Sequence, residues 1–122
     1  MSREISIEYR LSPEGPQTDI EVPAPYFLLG TQRTSMRFWS LPQLRDIGLT
    51  RLVALGVSDP VYFVGWEGLG DLEREIDLLQ KHVADIDCDT DTLASWLSHL
   101  VYCYALLVRT APRDSTPTLT IG

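Results

Sequence analysis

Polar and apolar residues alternate at the start of the chain. Ile5, Ile7, Tyr9 and Leu11 are interleaved with Ser6, Glu8 and Arg10. A period of two places one face of a strand on a core, so a first strand is predicted there. From Ser12 to Pro25, four prolines and Gly15 interrupt the chain. Their locked φ angles and missing N–H donors predict an exposed loop. Tyr26–Gly30 and Met36–Trp39 are short apolar and aromatic runs separated by five mostly polar residues, the pattern of a hairpin.

Ser40 precedes Leu41-Pro42, which predicts a Ser N-cap with proline in the first helical turn. Leu41, Leu44 and Ile47 share one helical face, Gly48 interrupts it, and Leu52, Val53 and Leu55 resume it. One broken helix or two short ones satisfy this spacing. Val61-Tyr62-Phe63-Val64 reads as a buried strand, and the glycines of 65–70 as a flexible turn after it.

Leu72, Ile76, Leu79, Val83 and Ile86 recur at steps of four and three among charged residues, predicting an amphipathic helix. A second helix is expected over about 92–108, capped by Thr90 or Asp91. It is apolar on nearly every side from Leu100 onward and is therefore expected to be central and covered all round. The short link makes the two an antiparallel αα-hairpin. Thr118–Ile121 returns as a last strand. These elements predict a single α+β domain over residues 1–122, with a small mixed or antiparallel sheet packed against the αα-hairpin and a short broken helix.

Length and composition agree with that reading, since 122 residues with 44% hydrophobic content suffice for one core. The alternating start lacks the unbroken apolar run of a signal peptide, and two cysteines make no disulfide framework, so a cytoplasmic protein is expected. The apolar stretch 100–108 is too short for the roughly 20 residues that span a bilayer, so no membrane association is expected.

Charge changes the picture most. Between Glu67 and Asp91 lie nine acids against Arg74 and Lys81, a balance of −7 that equals the net charge of the whole chain. Such a strip repels nucleic acid and steers a basic partner, although an ordinary solvated helix face is charged as well. Arg33 and Arg37 beside Phe38 and Trp39 are too few to make a nucleic-acid patch.

Candidate chemistry is sparse. Asp87, Asp89 and Asp91 alternate as at the start of a calcium loop, but Thr92 stands where the turning Gly belongs and Ser98 where the closing Glu belongs. His99 and Cys103 share a helix face, and His82 and Cys88 lie near the adjoining helix, without the spacing of a zinc module. A hydrogen-bonded histidine and a buried thiol are the simpler reading. Gly65–Gly70 lacks the Lys-Ser/Thr of a phosphate loop, and its acids would repel phosphate. Neither metal nor cofactor is expected, and no nucleophile stands in a recognisable turn.

The expected function is accordingly a protein-binding module, in its most concrete form an immunity or antitoxin-like inhibitor of a basic toxin. Its contact residues would be Trp66, Glu67, Glu73, Asp77, Asp85, Asp87 and Asp89, with the tryptophan as anchor. Two other classes compete with it. One is a ligand-binding protein or enzyme with a pocket between sheet and helices lined by Tyr26, Trp39, Tyr62 and His99. The other is a homo-oligomeric accessory protein that associates through the Leu72–Ile86 seam or a strand edge.

Overall fold

The computed structural model describes residues 2–122. Strand β1 (Ser2–Arg10) turns Arg3, Ile5 and Ile7 inward and Ser2, Glu4 and Ser6 outward. It pairs with β5 (Thr116–Ile121), and β5 pairs in turn with β4 (Val61–Val64). In register, Ile7, Leu119 and Phe63 form one inward row, and Ile5, Ile121 and Val61 the next. The sheet is antiparallel throughout, in the order β2-β1-β5-β4, with β3 on one end of β1. Helices cover only one face. Tyr62 and Val64 on the other face are about half exposed, so β4, the end strand of the order, is not the buried strand its composition suggests.

The expected loop over 12–25 contains β2 (Gln17–Ile20), paired with Ile7–Arg10 of β1. Its four residues include no proline, so their N–H groups remain free for the ladder, while Pro16 and Pro23 lie outside it.

The expected hairpin is half correct. β3 (Leu28–Thr31) pairs with β1, but Met36–Trp39 belongs to α1 (Gln32–Trp39). Thr31 and Thr34 form a reciprocal capping box, each backbone N–H 3.1 Å from the other hydroxyl. Ser35, Phe38 and Trp39 then bury one helical face. Ser40 ends this helix instead of starting the next, its hydroxyl 2.7 Å from Met36 O. Leu41 is the N-cap of α2 (Pro42–Asp46), with Pro42 in its first turn as expected. After Gly48 a 3-10 helix follows over Leu52–Gly56, giving two short helices.

Helix α3 (Gly65–Lys81) begins directly after β4, so the glycines expected to form a turn lie inside its first turns. Gly68 permits the abrupt return, since a Cβ there would lie 3.0 Å from the backbone of Phe63. Leu69, Leu72, Ile76 and Leu79 form its buried seam. The helix stops at Lys81, which leaves Val83 in a 3-10 turn (Val83–Asp85) and Ile86 in the link. Helix α4 (Thr90–Thr110) runs back antiparallel, with Tyr104 beside Glu73. Its cap is Asp89, not Thr90 or Asp91. Leu93, Trp96, Leu97, Leu100, Cys103 and Leu107 are buried, whereas Val101 and Val108 are each 39% exposed. The helix is thus one side of a layer, not a central rod. No helix is long and apolar enough to cross a membrane among the described residues.

Two charged side chains belong to the interior. Arg3 occupies an inward position of β1 with no exposure. Its guanidinium donates to Leu55 O (2.7 Å), Gln32 Oε1 (3.1 Å) and Ser35 Oγ (3.3 Å), and pairs with Asp59 at 3.5 Å. This ties β1, α1 and the 3-10 helix to the approach of β4. Glu75 is the second, described with the site below.

Candidate functional site

The acidic segment folds into α3, the 3-10 turn and the start of α4, and its nine carboxylates do not serve one purpose. Glu75 has no exposure and faces inward. Its carboxylate accepts from the backbone N–H groups of Thr50 (3.1 Å), Arg51 (2.9 Å) and Leu52 (2.9 Å), and from the Thr50 hydroxyl. It therefore caps the 3-10 helix from a distant part of the chain, satisfying donors that would otherwise be orphaned. Asp71 pairs with Arg51 at 3.0 Å, and the Arg51 guanidinium also reaches Tyr62 O and lies 4.5 Å from the centre of the Phe63 ring. These two acids hold α3 to the segment 50–63.

The other seven acids are exposed. Trp66, Glu73 and Asp77 are separated by seven and four residues, so they form one stripe along α3, with Glu67 about 100° round the helix. Glu73 accepts from the Tyr104 hydroxyl at 2.9 Å, and Asp77 pairs with Lys81 at 3.3 Å. Burial, that hydrogen bond and the charge of Glu73 together push the Tyr104 phenol up to about 12. Between the helices, Glu73 and Asp77 border a groove with Ile76, Val101 and Tyr104. Trp66 lies near Val108 and Arg113 at the far end of the hairpin, its indole N–H held by Ser115 O at 3.0 Å.

Asp85, Asp87 and Asp89 sit at the opposite end of α3 from Trp66, about 25 Å away for a 17-residue helix. The residues expected to share one contact therefore form a long strip with the tryptophan at one tip. Asp85 lies 3.0 Å from His82, and Asp89 is the α4 cap, accepting from the Thr92 hydroxyl and the Asp91 N–H. The Asp87 carboxylate has neither hydrogen bond nor ion pair among the described residues.

Asp87 and Asp89 border a cleft of about 530 Å³ between α1 and the link into α4, whose lining includes Phe38 and Trp96. None of the four residues expected to line a pocket contributes to it. Trp39 is 2% exposed in the core, and Tyr62 faces solvent on the open side of the sheet. Tyr26 stacks on Tyr102 with ring centres 4.0 Å apart. His99 Nδ1 lies 2.7 Å from Leu28 O, and the Cys103 thiol donates to Tyr26 O, so the two fasten the start of β3 and the residues just before it. Burial pushes the Cys103 thiol up to about 12 and raises Cys88, which Asp89 and Asp87 raise further. Neither thiol has the lowered pKa of a nucleophile. Among the described residues, no group of three or more His, Cys, Asp or Glu could hold a metal ion.

Sequence reasoning missed the cleft because its walls are far apart in the chain. Gly30 shows how closely they meet, since a Cβ on it would lie 2.6 Å from Trp96 Cζ2, and its φ is +80°. Compared with known proteins, the chain matches no family model, no curated protein and no solved structure, which leaves the chemistry of its own residues to carry the functional reading.

Proposed function

We propose that this is a cytoplasmic protein-binding module of the immunity or antitoxin kind, which docks a basic protein on the outer face of the α3–α4 hairpin. The observation that carries the reading is the mixture on that face. The exposed carboxylates of Glu73 and Asp77 lie beside Val101, and Trp66 lies beside Val108. Desolvated apolar contacts give such an interface its affinity, and unlike charges give it orientation and rate. Asp85, Asp87 and Asp89 extend the field past the end of α3 and would attract a second set of cations. A standard interface of roughly 800 Å² per partner is about 30 Å across, enough to cover Trp66 and the link together. In a toxin that acts on nucleic acid, the cations so engaged are those that otherwise hold phosphate.

The test is capture from the source cell with the tagged protein as bait, with elution by rising salt. A basic protein should be retained at low salt and released as screening increases. The same protein should be lost from the E73K/D77K/D87K variant, and its own activity should be inhibited by the wild type. Equal retention on wild type and variant would overturn the reading.

A further inference from the structure

The cleft between α1 and the α4 link carries a second inference, which shares Asp87 with the docking strip but rests on the walls of the cleft. Its aromatic lining is Phe38 and Trp96, whose rings meet edge to face at 5.3 Å and are otherwise nearly buried, with Leu41 beside them. Protein interiors leave few voids, and an apolar-lined cleft of this volume falls in the range of small-molecule sites.

Its walls carry two exposed charges of opposite sign that have no protein partner among the described residues. The side chain of Arg37, in the last turn of α1, makes no hydrogen bond or ion pair among the described residues, and neither does the carboxylate of Asp87. The two line the same cleft on different elements and do not pair with each other. Asp89 is already committed to capping α4, so Arg37 and Asp87 are the charges left to meet a ligand.

We propose that this cleft binds a small zwitterion with an apolar body between its charges, its anionic group on Arg37, its cationic group on Asp87 and its body against Phe38 and Trp96. A guanidinium offers paired donors to a carboxylate, and a carboxylate accepts from an ammonium. The apolar body gains from leaving water, while either charge alone would leave the opposite wall unanswered.

The experiment titrates the ¹⁵N-labelled full chain with 4-(aminomethyl)benzoate, benzylamine and benzoate, following the Trp96 indole and Arg37 side-chain resonances. The zwitterion should shift both and bind about tenfold more tightly than either singly charged analogue, as expected for one added charge-assisted contact. R37Q should erase its advantage over benzylamine, and D87N its advantage over benzoate. Both positions are exposed, so the fold survives either change. No Trp96 shift with any probe would overturn the proposal. Benzylamine binding as tightly as the zwitterion would also overturn it, marking instead a receptor for a partner's basic side chain. The E73K/D77K variant should bind the zwitterion unchanged, which separates failure here from failure of the docking reading.

Discussion

The acids of α3 and the acids of the link after it both recur mainly at every second position, yet they take different roles. Along α3, Glu75 and Asp71 turn towards the 50–63 segment and hold it. In the link, Asp87 faces a cleft with no partner of its own. The difference lies in what each backbone position points at. A helix assigns its acids to faces by 100° steps, and one of those faces meets the unsatisfied N–H groups of a 3-10 helix. In the link only Asp89 meets such donors, at the start of α4, and the Asp87 carboxylate has no counterpart among the described residues. Net charge per segment thus overstates the charge available to a partner.

The sharpest way to break the comparison is E75A. Three backbone donors would lose their acceptor inside the protein, a loss of about 3–5 kcal/mol that should appear as a large fall in the urea midpoint. The corresponding change in the link, D87A, should leave stability within about 0.5 kcal/mol. Equal effects would mean that the two groups of acids do the same work. R51A, which removes the Asp71 pair and the contact with Phe63, should fall between them at about 1 kcal/mol by the same measurement.

Subtler effects concern titration. The raised Tyr104 pKa means that the folded state keeps the phenolic proton longer than the unfolded chain. Its contribution to stability is present below the ordinary tyrosine pKa near 10 and is lost as pH rises towards about 12. E73Q should lower the midpoint of the ultraviolet phenolate titration assigned to Tyr104. The smallest effect is expected at Cys88. Replacing Asp87 and Asp89 by asparagine removes two charges that disfavour its thiolate, so iodoacetamide should react faster at a given pH below the thiol pKa. An unchanged rate would mean that burial alone controls the thiol.

Much of the architecture was legible where one period dominates. The alternation of Ile5, Ile7 and Tyr9 and the seam of Leu72, Ile76 and Leu79 each report a single neighbour, the core. Other positions answer to two. Met36–Trp39 has strand composition, but the capping box at Thr31 and Thr34 and the burial of Phe38 and Trp39 favour a helix. The apolar half of α4 exceeds what the sheet can cover, which leaves Val101 and Val108 exposed. Arg3 is disguised by alternation, since it occupies an inward position but is charged, and its acceptors come from residues 29 to 56 places later. The exposed acids were legible as a strip. Their division among cap, clamp and cleft was not, because it depends on residues distant in sequence.

The pairing of β1 with β5 has a kinetic consequence. The sheet's central ladder joins residues 5–10 to residues 116–121, and β4 reaches the other strands only through β5. Closing so long a loop is entropically costly until β5 arrives, whereas the α3–α4 hairpin depends on local contacts. The hairpin can therefore nucleate early, with the β1–β5 and β5–β4 ladders closing late. A chain opened at β5 would separate β4 from β1, β2 and β3 in one step, so amide protons across the central ladder should exchange together, at the rate of global unfolding.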